Sequence, residues 1–290
     1  LQVLARFGVK PALVAGHSYG ELVALHAAGV LSSAVFEAAS RRRGELMAGD
    51  GSDRGTMLAV LAPIADVERL LADEQLELVL ANRNGPAQAV LSGSRVEIDR
   101  AEAACKTKGL RATRLNVGAA FHSPLVSGAA AEFEKSLSSM EFGAPNIPVV
   151  ANTTAEAYPS DATAARALLA NQLARPVRFD GVIEKLHSLG ARTFVEVGPK
   201  TALTGMVKAI LGERTHTAMA IDGQTRRGAM FDLAMVLARL SAEGHAARLV
   251  EWQKVAPPPR WVAKPARKPK MVVPLTGANY RSPSTPKPAV

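Results

Sequence analysis

The chain has 290 residues, of which 48% are hydrophobic and 21% charged, proportions ordinary for a globular enzyme with a sizeable core. It shows no apolar run of membrane-spanning length and no signal pattern, which argues against a membrane protein and predicts a cytoplasmic one. A single cysteine, Cys105, excludes an internal disulfide framework, and the six histidines lack zinc-ligand spacing, so we expect no bound metal.

The net charge of +9 is concentrated at the C-terminal end. Residues 251–290 hold eight Lys or Arg, one acidic residue and nine of the eighteen prolines, a balance of +7 that leaves +2 for residues 1–250. Proline-rich basic segments are typical of semi-rigid linkers. Because no aromatic–basic interleaving accompanies the charge, we expect a linker over 254–290 and no nucleic-acid partner.

The first elements surround a Gly-x-Ser-x-Gly sequence. Residues 1–7 are typical of the end of an amphipathic helix, and the apolar run 11–15 indicates a buried parallel strand. The motif follows as Gly16-His-Ser-Tyr-Gly20, and residues 21–30 then favour a helix. A strand, a tight turn and a helix form the context in which this motif exposes a nucleophilic serine.

Ser18 is therefore the candidate nucleophile, and the backbone N–H of Tyr19 is the candidate donor to an oxyanion. The glycines on either side leave room for close backbone packing around the turn. We expect His17, the neighbour of the serine, to point away from it and to contribute to substrate binding. The alternative is a glycine-flanked turn that carries an incidental serine.

The middle of the chain changes periodicity and predicts a small inserted subdomain. Its elements follow the βαββαβ order of ferredoxin-like folds. Asn82 and Asn84 fall in a predicted turn over 82–86, where they either cap the turn or contact the arm of a ligand, and we favour the turn. The predicted elements are a strand over 56–62, a helix over 65–72, strands over 76–81 and 88–92, a helix over 96–108 and a strand over 112–117.

The remaining pattern returns to alternating helices and strands, which indicates a larger α/β subdomain around the insert. We expect its first part over 1–55, the small subdomain over 56–118 and its second part over 119–253. The predicted elements of the second part are helices over 124–140, 162–173, 179–189, 201–210 and 230–242 and strands over 149–152 and 193–197.

A serine nucleophile needs a base, and His122 follows the last strand of the small subdomain, where an insert can carry a base across a cleft. A lone loop histidine is more often a surface residue. Spacing alone leaves His187, His216 and His245 as competing candidates.

The chain contains four ordered motifs: Gly16-His-Ser-Tyr-Gly-Glu21, Arg43-Gly44, Phe121-His-Ser-Pro124 and Glu196-Val-Gly-Pro199. Together they resemble the malonyl-CoA:acyl-carrier-protein transacylase family from Leu1 to about Gln253. The resemblance implies an α/β-hydrolase-like parallel-sheet core with a ferredoxin-like insert. It also implies a ping-pong transfer of malonyl from malonyl-CoA to the phosphopantetheine thiol of an acyl carrier protein, without a bound cofactor.

Carried over by position, the resemblance makes Ser18 the nucleophile, His122 the base and Arg43 the partner of the substrate's free carboxylate. A planar guanidinium grips a carboxylate through two parallel hydrogen bonds. Gln172 matches the position whose backbone carbonyl orients the histidine, so its side chain is not expected to matter. Phe121 implies malonyl rather than methylmalonyl, because a bulky ring would crowd an α-methyl branch. The run Arg41–Arg43 could instead form a solvated basic face at a helix end. We expect this structural role for Arg41 and Arg42 only.

Tyr19 after the serine resembles iterative synthases of polyunsaturated fatty acids or enediyne polyketides, which implies neighbouring domains of a megasynthase as partners. The family carries a Gly-Gln-Gly loop before this region that supplies a second oxyanion N–H. The chain begins at Leu1 without it, so we expect a piece of a longer protein.

Two other functions compete with the transferase. A serine esterase or thioesterase would pair the serine with an acid such as Asp161 or Asp180 and with His187 or His216, and it would have no use for Arg43. A domain without catalysis could serve as a docking platform for a carrier protein.

Overall fold

The computed structural model describes residues 1–48, 53–224 and 226–255. The chain divides into two units, 1–249 and 250–290. In the second, the described residues include the short helix α11 (Trp252–Val255). The predicted linker lies outside the described residues from residue 256 onward, and the subdomain boundaries stay a prediction.

The larger part of the first unit contains twelve named elements in two stretches. The first stretch comprises α1 (Gln2–Arg6), β1 (Val14–Ala15), α2 (Gly20–Ala27) and α3 (Ser33–Ala48). The second stretch comprises α6 (Ser127–Leu137), β6 (Val149–Val150), α7 (Ala162–Asn171), α8 (Phe179–Ser188), β7 (Thr193–Pro199), α9 (Ala202–Leu211), β8 (Thr217–Asp222) and α10 (Ala229–Ala242). Short 3₁₀ turns cover Pro124–Val126, Gln172–Ala174 and Leu249–Glu251.

Strand pairing in this part is parallel, as predicted. β1 pairs with β6, with Val14 opposite Val149 and Ala15 opposite Val150. β7 pairs with β8. Within the described residues these form two separate pairs rather than one continuous sheet. The main core packs apolar side chains of α2, α3, α6 and α7, among them Leu22, Leu25, Phe133, Leu137 and Leu169.

The predicted small subdomain follows the βαββαβ order. Its elements are β2 (Thr56–Leu61), α4 (Ile64–Asp73), β3 (Val79–Gly85), β4 (Gln88–Gly93), α5 (Arg95–Thr107) and β5 (Arg111–Arg114). The strands form an antiparallel sheet in the order β3-β4-β2-β5. The side-chain oxygen of Ser94 accepts a hydrogen bond from the Glu97 N–H and so begins α5 as a helix cap.

The predicted turn over 82–86 was wrong, because β3 continues to Gly85. Its backbone bonds to a segment of the larger subdomain: the Arg83 N–H donates to the Val177 carbonyl at 2.9 Å, and the Val177 N–H donates to Ala81 at 2.8 Å. This pairing with a distant segment outweighs the turn preference of the Asn and Gly residues. Asn82 and Asn84 are consequently buried in a strand that joins the two subdomains.

Other differences concern bounds and three missed elements. Helix α3, strand β8 and helix α11, which includes the first two residues of the predicted linker, were not predicted. The helices expected over 124–140 and 162–173 each include a 3₁₀ turn. At Pro124 the missing N–H favours a 3₁₀ start, and at Gln172 the chain tightens as α7 ends. None of the helices in the described ranges has both the length and the apolar character needed to cross a membrane.

Candidate active site

Ser18 lies on the sharp turn between β1 and α2 and has a left-handed backbone, with φ of 50°. For a residue other than glycine this conformation costs about 1–2 kcal/mol, so the surrounding structure must hold it. A Cβ on Gly16 would lie 2.0 Å from the backbone of Gly20, so only glycine fits at the entry of the turn. The motif therefore forms the predicted elbow.

His122 contacts the serine. Its Nε2 lies 2.9 Å from Ser18 Oγ, and its Nδ1 lies 2.9 Å from the carbonyl of Gln172 and 3.1 Å from that of Arg175. Carbonyl oxygens only accept, so Nδ1 carries the hydrogen and the Nε2 lone pair faces the serine hydroxyl. This tautomer can take the serine proton without an acidic third residue.

Burial keeps the base neutral. His122 is 3% exposed, and its pKa is lowered to about 4, mainly by burial, with the positive charge of Arg43 and the nearby His17 acting in the same direction. The carbonyl of Gln172 opposes this shift because it stabilises the protonated ring. At neutral pH the imidazole is therefore unprotonated and ready to accept a proton.

Arg43 brings a buried cation to Ser18. It lies on α3, is 5% exposed, and its Nη2 donates to Ser18 Oγ at 3.2 Å. Its guanidinium lies 5.7 Å from the centre of the Tyr19 ring. Burial lowers its pKa to about 10 while Glu21 opposes the shift, so it stays charged at neutral pH. Of the other two arginines in the run, Arg42 pairs with Glu45 and Glu132 away from the serine.

The other predicted residues have defined surroundings. None of the described hydrogen bonds uses the Tyr19 N–H, and its hydroxyl donates to Ser40. His17 bonds through Nε2 to Asn84 Oδ1 at 2.7 Å. The Phe121 ring packs against a cluster of the small subdomain, and its carbonyl accepts from Ser92 Oγ at 2.7 Å. Substrate contacts of these side chains stay predictions.

Sequence reasoning missed a buried polar network behind the elbow. Asn152, Gln172, Glu21 and Tyr158 are all buried. The Gln172 side chain, expected not to matter, donates from Nε2 to the Ser18 carbonyl at 2.7 Å. Glu21 accepts from the Tyr158 hydroxyl and from the Asn152 N–H, and burial raises its pKa to about 7. A polar residue just beyond a buried strand was the available signal, since Asn152 lies two residues after the end of β6.

A model of the acyl transferase domain family matches residues 1–245. The chain belongs to that family. It is 35% identical over 238 residues to a malonyl CoA-acyl carrier protein transacylase of Bacillus subtilis, covering 78% of this chain and 73% of the relative. It is 30% identical over 286 residues to part of a polyunsaturated fatty acid synthase of Thraustochytrium, covering 97% of this chain and 10% of the relative.

Among solved structures, the acyltransferase domain of an iterative polyketide synthase in enediyne biosynthesis aligns with a TM-score of 0.72 and 31% identity. The alignment covers 87% of this chain and 64% of that one. The chain spans 12%, 3% and 10% of the length of three polyketide synthase relatives that it matches. It is therefore similar to a portion of those proteins.

The residues that an esterase would use do not contact Ser18 in this acyltransferase domain. Asp161 caps α7, accepting from the Ala164 N–H, and Asp180 pairs with Arg83. His216 bonds to the Arg214 carbonyl. In the part of the chain that the structure describes, no hydrogen bond joins these side chains, or that of His187, to Ser18.

No group of three or more His, Cys, Asp or Glu side chains among residues 1–48, 53–224 and 226–255 is arranged to hold a metal ion. The candidate site consists of a hydroxyl, an imidazole, a guanidinium and backbone carbonyls. Such groups suit acyl transfer through a covalent serine intermediate.

Proposed function

We propose that this acyltransferase domain transfers a malonyl group from malonyl-CoA to the phosphopantetheine thiol of an acyl carrier protein through an acyl-enzyme on Ser18. The observation that carries the proposal is the position of a buried guanidinium 3.2 Å from a serine oxygen that also contacts a neutral histidine at 2.9 Å. The histidine supports covalent catalysis, and the guanidinium supports an acyl group with a free carboxylate. The malonyl CoA-acyl carrier protein transacylase of Bacillus subtilis, to which the chain is similar, agrees with both.

In the first half-reaction His122 Nε2 takes the proton of Ser18 Oγ as the oxygen bonds to the thioester carbonyl carbon. The Tyr19 N–H is the proposed donor to the resulting oxyanion. When the intermediate collapses, the carbon–sulfur bond breaks and the departing thiolate receives the proton from His122. The carrier's thiol then gives a proton to the same nitrogen, attacks the ester, and Ser18 leaves with that proton.

Arg43 is the proposed selector of the acyl group. A malonyl carboxylate would pair with the buried guanidinium, whereas an acetyl group would leave the cation desolvated and unpaired, which is costly. Phe121 is the proposed barrier to an α-methyl branch, and His17 a proposed contributor to the substrate pocket. Gln172 acts through its backbone carbonyl, which keeps the His122 ring in the tautomer that accepts the serine proton.

We also propose a fold description and a parent protein for this domain. Parallel pairing supports an α/β-hydrolase-like core, and the βαββαβ order with the sheet order β3-β4-β2-β5 supports a ferredoxin-like insert. Similarity to the Thraustochytrium synthase and to the enediyne synthase domain supports an iterative synthase with neighbouring domains as partners. A cytoplasmic location stays a prediction.

The test is the fate of the acyl group. We expect the protein, acylated with malonyl-CoA and separated from excess donor, to release its malonyl group to a holo carrier protein or a free pantetheine thiol faster than to water. Release to water at the same rate with and without thiol would make the domain an esterase. Absence of any acyl-enzyme, with carrier binding retained, would leave a docking platform.

A further inference from the structure

The pairing between β1 and β6 stops just before the nucleophile. The last paired residues are Ala15 and Val150. Continuing the same register would set His17 opposite Asn152. In a parallel pair, a residue bonds to the carbonyl before its partner and to the N–H after it. A further rung would therefore join residue 152 to the Gly16 carbonyl and the Ser18 N–H.

The side chain of Asn152 makes those two bonds. Its Nδ2 donates to the Gly16 carbonyl at 2.6 Å, and its Oδ1 accepts from the Ser18 N–H at 2.7 Å. The backbone of Asn152 is engaged elsewhere: its N–H donates to Glu21 Oε2 at 2.9 Å, and its carbonyl accepts from the Arg178 N–H at 2.8 Å. The side-chain amide thus replaces the peptide group that the strand no longer supplies.

A second amide holds the other side of the serine. Gln172 Nε2 donates to the Ser18 carbonyl at 2.7 Å and lies 3.4 Å from Asn152 Oδ1. Both backbone polar groups of the nucleophile therefore contact side chains that are at most 1% exposed. They hold Ser18 at its positive φ, the conformation that directs Oγ toward His122 and Arg43.

We propose that Asn152, assisted by the Gln172 side chain, is a positioning residue that completes the β1–β6 ladder across the elbow and fixes the direction of the Ser18 hydroxyl. The inference rests on Ser18 being the nucleophile of the proposed function. It does not depend on which acyl group the serine carries, so the two can be tested separately.

The test uses the variant Asn152→Asp and a fluorophosphonate probe, which contains neither malonyl nor CoA. Ser18 Oγ bonds to phosphorus, fluoride leaves and His122 takes the proton, so the labelling rate reports the serine alone. An ionised aspartate has no donor for the Gly16 carbonyl, whereas a protonated one has a donor and an acceptor, as the amide has. Intact-mass spectrometry follows labelling at pH 8 and pH 6.

We expect Asn152→Asp to label about 10²-fold more slowly than wild type at pH 8, the scale of a misplacement of about 1 Å. Position 152 is fully buried, and burial raises the pKa of the neighbouring Glu21 to about 7, so burial should also raise the pKa of the introduced carboxyl. At pH 6 the labelling rate of Asn152→Asp should therefore rise at least tenfold relative to wild type. Asn152→Ala should be slow at both pH values, and the surface control Asn146→Asp should match wild type. Each rate is compared with wild type at the same pH, because Glu21, which accepts from the Asn152 N–H, has a pKa raised to about 7 and titrates in this interval, whereas the pKa of His122 is about 4.

Labelling of Asn152→Asp within twofold of wild type at pH 8, or a loss that acid does not reverse, would overturn the proposal. If the Asn152 variants do not fold, Gln172→Met tests the proposal instead. This variant removes the side-chain donor to the Ser18 carbonyl and keeps the backbone carbonyl of residue 172 that accepts from His122. Slower labelling, with an unchanged midpoint of the labelling rate against pH, supports the proposal, and an unchanged rate overturns it. A wild type that labels but never takes malonyl would refute only the proposed function.

Discussion

Replacing Arg43 by alanine should remove most of the preference of Ser18 for malonyl-CoA over acetyl-CoA. The guanidinium is 5% exposed and lies 3.2 Å from the serine oxygen, so a malonyl carboxylate would meet it out of water. Breaking a buried ion pair by removing one partner costs roughly 3–5 kcal/mol. At about 1.4 kcal/mol per factor of ten, the ratio of the malonyl to the acetyl acylation rate should fall by roughly 10² to 4 × 10³-fold.

The assay is the initial rate of Ser18 acylation by each donor, followed by intact-mass spectrometry. Using the ratio of rates cancels any effect of Arg43 on the serine itself. Arg43→Lys should retain part of the preference, since an ammonium keeps the charge and loses the bidentate geometry. Arg42→Ala, on the same helix and paired with Glu45 and Glu132, is the matched control. A ratio in Arg43→Ala within threefold of wild type would show that Arg43 does not select the malonyl group.

Three further outcomes follow from the site and the elbow. The acylation rate should be halved near pH 4, because His122 accepts a proton only when neutral and its pKa is lowered to about 4. The variant Glu21→Gln, which lacks the group with a pKa of about 7, should show the same midpoint, and a midpoint near 6.5 in that variant would contradict the lowered pKa of His122. Glu21 has a raised pKa of about 7, so between pH 4.5 and 7 the folded state holds a proton that the unfolded state has lost, and this group makes stability fall as pH rises. Denaturant unfolding should show Glu21→Gln gaining on the order of 3 kcal/mol relative to wild type across that window, and a constant difference would contradict the shift. Gly16→Ala should lower the free energy of unfolding by about 3 kcal/mol through its clash with Gly20, whereas Gly128→Ala, a helical position with open space, should raise it by about 0.5–1 kcal/mol; equal effects in thermal melts would contradict the packing argument.

Local patterns predicted the elements that depend on neighbouring residues. The elbow around Ser18 follows from two glycines and a strand-to-helix change within ten residues. The order of the small subdomain follows from its alternating periodicity, and α5 is found within one residue at each end. The prediction of a turn at Asn82 and Asn84 was wrong because that strand depends on a distant contact. A segment almost a hundred residues away pairs with it.

Contacts between residues distant in the sequence limited how much of the site could be predicted. Spacing alone could not choose among the histidines; the resemblance to a known family pointed to His122, and the structure brings it to Ser18 across 104 residues. Asn152 acts on the elbow from 134 positions away through one side-chain amide. An asparagine after a short strand has many structural uses, and only the register of β1 against β6 reveals this one.

Intact-mass spectrometry with peptide mapping, after brief exposure to malonyl-CoA, tests whether Ser18 carries the malonyl group. The samples are wild type, Ser18→Ala and His122→Ala. We expect one malonyl adduct on the wild-type peptide that contains Ser18, none in Ser18→Ala and a strongly slowed adduct in His122→Ala. An adduct that persists in Ser18→Ala, or that maps to another residue, would contradict this expectation.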